Sequence, residues 1–100
     1  MSQLSTHVLD IALGSPAGGV TVALERDGSV VARGTTDADG RIADLGPERL
    51  DPGTYRLRFD TAARSPFFPE VVVAFVVADE RHVHVPLLLS PHGYTTYRGS

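Results

Sequence analysis

Apolar and polar residues along the chain alternate in short runs with a period of two, and the 3.6-residue period of an amphipathic helix is almost absent. "LSTHVLDI" reads as a first strand, ended by the Gly- and Pro-punctuated "LGSPAGG". In "VTVALERD", Val20, Val22 and Leu24 share one face, opposite Thr21, Ala23 and Glu25. A "DGS" turn leads into "VVARGTT", followed by "DADG", a short "RIADL" and the polar loop "GPERLDPG". "TYRLRFD" places Tyr55, Leu57 and Phe59 inward, with Thr54, Arg56 and Arg58 outward. "FFPEVVVAFVVAD" is apolar on both faces over Val71–Ala78, as expected of a strand whose second face meets another sheet or subunit. "HVHVPLLLS" and "GYTTYRGS" close the chain. The pattern predicts about eight short strands of an antiparallel β-sandwich, with turn signals roughly every 8–12 residues. At most one short helix is expected, a single turn at Thr61–Ser65.

The 100 residues make one domain, 1–100, and 42% hydrophobic with 21% charged residues is ordinary globular usage. The absence of cysteine excludes disulfides, thiolate metal sites and a cysteine nucleophile. A net charge of −3 argues against nucleic acid as the main partner, since phosphate binding needs a basic footprint. "MSQLSTHVLD" has no basic segment followed by an apolar one, so no secretory signal is expected. The apolar run "VVVAFVVA" is far short of the roughly 20 residues that span a bilayer, and the closing Arg-Gly-Ser is not a peroxisomal signal. A cytoplasmic protein with no membrane partner is the expectation.

The residues able to do chemistry are few. His7 shares a strand face with Ser5, Leu9 and Ile11. His82 and His84 project to one side of their strand, opposite the core-facing Val83, Val85, Leu87 and Leu89. Their Cα atoms stand about 6.6–6.8 Å apart, which would let two imidazoles share a zinc ion, but no carboxylate sits at ligand spacing to complete the set. Arg41 opens a strand after an Asp-Gly turn, where a solvated arginine is the bland alternative. In the tail, Arg98 offers a planar fork for an anion or carbonyl, Gly99 permits close backbone approach and Ser100 adds a hydroxyl. Neither a Gly-x-Ser-x-Gly elbow nor an Asp at informative spacing from a His supports a serine nucleophile, and phosphate loops, dinucleotide fingerprints and EF-hands are missing.

"LSTHVLDIALGSPAGGVTVAL" at the start and "HVHVPLLLSPHGYTTYRGS" at the end resemble the transthyretin-like 5-hydroxyisourate hydrolases of the transthyretin family. The resemblance extends through "TTDADGRI" and "FFPEVVVAF", and the closing Tyr-Arg-Gly-Ser is its most specific part, absent from the hormone carrier transthyretin. Val83 stands where many members have Tyr and Thr95 where Ser is usual; the stretch between Asp60 and Phe67 is shorter than usual, which puts the usual surface helix in doubt.

The resemblance implies an eight-stranded transthyretin-like β-sandwich of two four-stranded sheets. It also implies a homotetramer with active sites at the dimer–dimer interface. The activity implied is hydrolysis of 5-hydroxyisourate to 2-oxo-4-hydroxy-4-carboxy-5-ureidoimidazoline, in urate degradation, with no cofactor and no metal. The catalytic set carried over is His7, Arg41, His84 and Ser100, and the substrate-binding set is His7, Arg41, Tyr97, Arg98, Gly99 and Ser100. His82 is secondary. Extension of the tail, or deletion past Tyr97, is then expected to cripple catalysis. The alternatives are a non-enzymatic transthyretin-type small-ligand carrier, which would need an apolar channel, and a structural sandwich, which the residues without the resemblance would favour.

Overall fold

A computed structural model describes all residues, Met1–Ser100. Nine β-segments follow one another: β1 (Leu4–Asp10), β2 (Ser15–Pro16), β3 (Thr21–Arg26), β4 (Ser29–Thr35), β5 (Arg41–Ile42), β6 (Gly53–Asp60), β7 (Glu70–Val77), β8 (Val83–Ser90) and β9 (Gly93–Thr96). They form two sheets, one in the order β4-β3-β6-β7 and the other β2-β1-β8-β9 with β5 also on β1. β8 pairs with β1 along its whole length, so β2 and β5 share its other edge, β5 at Thr6 and His7 and β2 at Leu9 and Asp10. Five segments therefore fill four strand positions, and the all-β sandwich of two four-strand layers is present.

The alternation seen in the sequence is what the packing uses. Leu4, Thr6, Val8 and Asp10 of β1 are buried, while Ser5, His7 and Leu9 between them are only partly so. Val22, Leu24, Leu57 and Phe59 from one sheet join Leu4, Val8, Val85 and Leu87 from the other in a core of 17 buried residues. Burying each such large side chain contributes roughly 1.5–3 kcal/mol. The buried hydroxyls are satisfied: Thr6 Oγ1 donates to Val85 O at 2.6 Å, and Thr36 Oγ1 donates to Ala17 O at 2.7 Å.

One feature departs from the sequence pattern, and two others are made definite by the structure. The first is the direction of β1 and β8, which run parallel where an antiparallel protein was expected. They lie near opposite ends of the chain, so no hairpin constrains their direction. β7 is the edge strand of its sheet, and Val72 and Val76 on its outer face are exposed on the single chain, so no second sheet of this chain covers that face. No helix forms at Thr61–Ser65; the N–H groups of Arg64 and Ser65 both donate to Thr61 O, closing one isolated turn. That segment is too short to propagate a helix.

Candidate active site

The outer face of the β1 sheet collects the polar residues that the core excludes. The parallel register puts Ser5 beside His84, and the antiparallel register of β5 puts Arg41 opposite His7. On the far side of β8 the tail returns as an isolated bridge between Gly99 and His84, with Gly99 N–H donating to His84 O at 2.9 Å. Arg41, His7, Ser5, His84 and the tail are thus laid side by side across one sheet by four backbone segments.

The turn before Arg41 is built by its own sequence. Asp37 Oδ1 accepts from the backbone N–H groups of Asp39 and Arg41, each at 2.9 Å. Such side-chain-to-backbone bonding is how Asp nucleates turns. Gly40 follows at φ +75°, and a Cβ there would stand 2.3 Å from Val8 O. Only glycine fits, because the backbone at Gly40 O must accept from Val8 N–H at 2.7 Å. The same turn aims Asp39 O at His7 Nε2, 2.8 Å away. A carbonyl only accepts, so Nε2 carries the proton and the neutral ring leaves Nδ1 as its basic atom.

Ser5 Oγ lies 2.8 Å from both His82 Nε2 and His84 Nδ1. Bonding through Nδ1 leaves His84 Nε2 as the atom free to act. A Cβ on Gly99 would stand 2.4 Å from His84 Cδ2, so the tail backbone presses against that edge of the ring. Ser5, Arg41, His82, His84 and Ser100 line one open depression of about 320 Å³. Partial burial pushes the His84 imidazole below its usual range, and the positive charges of Arg41, His7 and His82 act in the same direction. The Ser5 backbone opposes this weakly. His84 is held neutral where an ordinary histidine begins to charge, the state a general base needs.

The expected site residues are not all in one place. Arg41, His84 and Ser100 meet in the depression, with Gly99 packed against His84 and His7 opposite Arg41. Tyr97 and Arg98 instead line a neighbouring groove of about 290 Å³ with Val73, Phe75, Val83 and Val85. His82 and His84 gather no third histidine or carboxylate into a metal-holding group. The largest cavity, about 620 Å³, lies around the Arg64–Asp10 ion pair and contains none of these residues.

The contact of Ser5 with His84 and the orienting role of the Asp37–Gly40 turn are the parts that sequence reasoning missed. Ser5 was legible only as a disfavoured serine nucleophile and a neighbour of His7 on one face, because its bond to His84 spans 79 residues and depends on strand pairing. The "DADG" turn was visible, but not that it orients His7.

Residues 4–99 match the model of the HIUase/Transthyretin family. A 5-hydroxyisourate hydrolase of Caulobacter vibrioides is 45% identical, with 100% of both chains covered. The uric acid degradation bifunctional protein TTL of Arabidopsis thaliana is 44% identical over 97% of this chain, which spans only 37% of that protein's length. Among solved structures, the 5-hydroxyisourate hydrolase of Klebsiella pneumoniae superposes with a TM-score of 0.89 at 44% identity, covering 97% of this chain and 98% of its own. Sea bream transthyretin, in complex with thyroxine, superposes with a TM-score of 0.87 at 36% identity, covering 97% and 94%.

Proposed function

The chain belongs to the HIUase/Transthyretin family, and from that premise we propose that it is a hydrolase that opens 5-hydroxyisourate in urate degradation. Both a hydrolase and a hormone carrier share the fold, so the fold does not choose between them. The observation that carries the choice is the depression holding His84, Arg41 and Ser100, with His7 opposite Arg41. A carrier needs an apolar lining; this one presents two imidazoles and a guanidinium.

In the reaction, water adds to a ring carbonyl carbon, the C–N bond breaks and the departing nitrogen gains a proton. His84 Nε2 takes the proton from water, for which its neutral state suits it. Arg41 holds the carbonyl and offsets the developing oxyanion. The Ser100 hydroxyl lies beside the attacking water, and His7 is the second proton-carrying group. Gly99 lets the tail reach His84, and Tyr97 and Arg98 serve the substrate from the neighbouring groove rather than from within the depression. No cofactor enters this scheme. The reading includes a cytoplasmic homotetramer whose active sites lie between dimers. Support for an assembly comes from the open outer face of β7, and no helix of the chain is long and apolar enough to cross a membrane.

The test is to generate 5-hydroxyisourate from urate in situ and follow its ultraviolet decay. Purified protein should accelerate the decay well beyond the spontaneous rate at neutral pH. An unchanged rate overturns the reading.

A further inference from the structure

Ser5 Oγ bridges His82 Nε2 and His84 Nδ1 at 2.8 Å each. A hydroxyl carries one proton, so when it donates to one ring it accepts from the other. The two neutral arrangements of this chain have opposite consequences. If Ser5 donates to His82, His84 donates from Nδ1–H and keeps a lone pair on Nε2. If Ser5 donates to His84, the proton of His84 sits on Nε2. Moving two protons along the chain, while His84 Nε2 gains a proton and His82 Nδ1 gives one up, converts one neutral arrangement into the other, and Nε2 of His84 changes from base to donor.

The two rings also differ in setting. His84 is partly buried between β1 and the tail, whereas His82 is exposed just before β8 begins. The charged and titratable side chains acting on His84 are Arg41 from β5, His7 from β1 and His82 beside it; the tail brings Gly99 against the ring and Ser100 into the same depression. A cation stranded on His84 is repelled by Arg41, while one on His82 meets water. The loop leading to His82 is pinned as well, since Gln3 Nε2 donates to Asp79 O at 2.7 Å and to Arg81 O at 3.1 Å.

We propose that Ser5 and His82 form a proton outlet for His84, with Ser5 as the positioning residue that sets its tautomer. As water adds to the substrate carbonyl, its proton goes to His84 Nε2. The Nδ1 proton passes to Ser5 Oγ, and the Ser5 proton passes to His82 Nε2. The hydroxide ends on carbon, His84 remains neutral, and the positive charge ends on the exposed ring. The return path hands the proton back through His84 Nε2 as the C–N bond breaks. This rests on the hydrolase reading for its substrate, but the hydrogen-bonded chain exists without it.

The test compares Ser5→Ala, Ser5→Thr and His82→Ala with the unaltered protein. Ser5→Ala is expected to lower kcat by roughly tenfold to a hundredfold with KM within about twofold, less than the 10²–10⁴ of losing an acid–base group itself. Ser5→Thr, which keeps the hydroxyl, should restore most of that rate. The loss in His82→Ala should be reversed by imidazole in the buffer. Nitrogen NMR of labelled histidine gives a readout that needs no activity: the His84 proton should sit on Nδ1 in the unaltered protein and move to Nε2 in Ser5→Ala. If the unaltered protein accelerates 5-hydroxyisourate decay and Ser5→Ala matches it in kcat, the outlet is wrong while the hydrolase reading stands. If nothing accelerates decay, the hydrolase reading fails, and an identical His84 tautomer with and without the Ser5 hydroxyl overturns the relay as well.

Discussion

Gly99 and His84 are in such close contact that the glycine's missing side chain is part of the site. A Cβ at residue 99 would lie 2.4 Å from Cδ2 of the imidazole and 3.2 Å from Cγ, while the backbone bond between the two residues holds the tail in register. The imidazole is caught between this backbone on one side and the Ser5 hydroxyl on the other.

Gly99→Ala should therefore displace either the ring or the tail. Gly99 is not part of the core cluster, so the sandwich should melt within a few degrees of the original. A misplacement near 1 Å costs roughly 10²-fold in rate, and that is the expected fall in kcat/KM. Full activity in a folded Gly99→Ala protein would show that the tail's closeness to His84 is incidental.

His84 should titrate below the usual imidazole range, chiefly because of its partial burial and then because of Arg41. Arg41→Gln removes the charge that most opposes protonation of His84 and should move the His84 midpoint up in pH, as followed by its ring proton shifts. The sign for stability follows from the same depression. The folded ring resists a proton that the unfolded chain accepts near pH 6.5, so stability is unaffected above that value and falls as pH drops below it. His84→Asn should flatten this part of the stability profile; an unaltered slope would assign it to another group.

Asp37 sits in the turn before Arg41 and holds the N–H groups of Asp39 and Arg41. Asp37→Ala should loosen both Arg41 and the Asp39 carbonyl that orients His7. The expected result is a drop of about tenfold or more in kcat/KM, the scale of a positioning error short of 1 Å. Asp37→Asn keeps a side-chain oxygen to accept those bonds and should retain most activity. Equal losses in the two variants would point to the charge and not the turn.

Gly40→Ala combines a left-handed backbone with a Cβ 2.3 Å from Val8 O. The strain of a non-glycine residue in that region alone costs about 1–3 kcal/mol, so the total loss should exceed this. Leu87→Ala, which empties a fully buried position between the sheets, should cost about 2–5 kcal/mol. Urea unfolding of both variants checks the scale. A Gly40→Ala protein as stable as the original would mean the turn relaxes without strain.

The inward and outward positions of β1, β3, β6 and β8 were legible in the sequence, because a period of two is a local property of each strand. It placed Leu57 and Phe59 in the core and turned His82 and His84 away from it, whereas the roles of Arg41 and the tail came from the family resemblance and not from the pattern. Strand pairing is not local. Closure of the sandwich made β1 and β8 parallel neighbours and set Ser5 against His84 across 79 residues. It put β7 at the edge of its sheet, and it separated Tyr97 and Arg98 from the depression that Ser100 enters. Alternation decides which face a residue occupies; only the register between distant strands decides which residue it meets there.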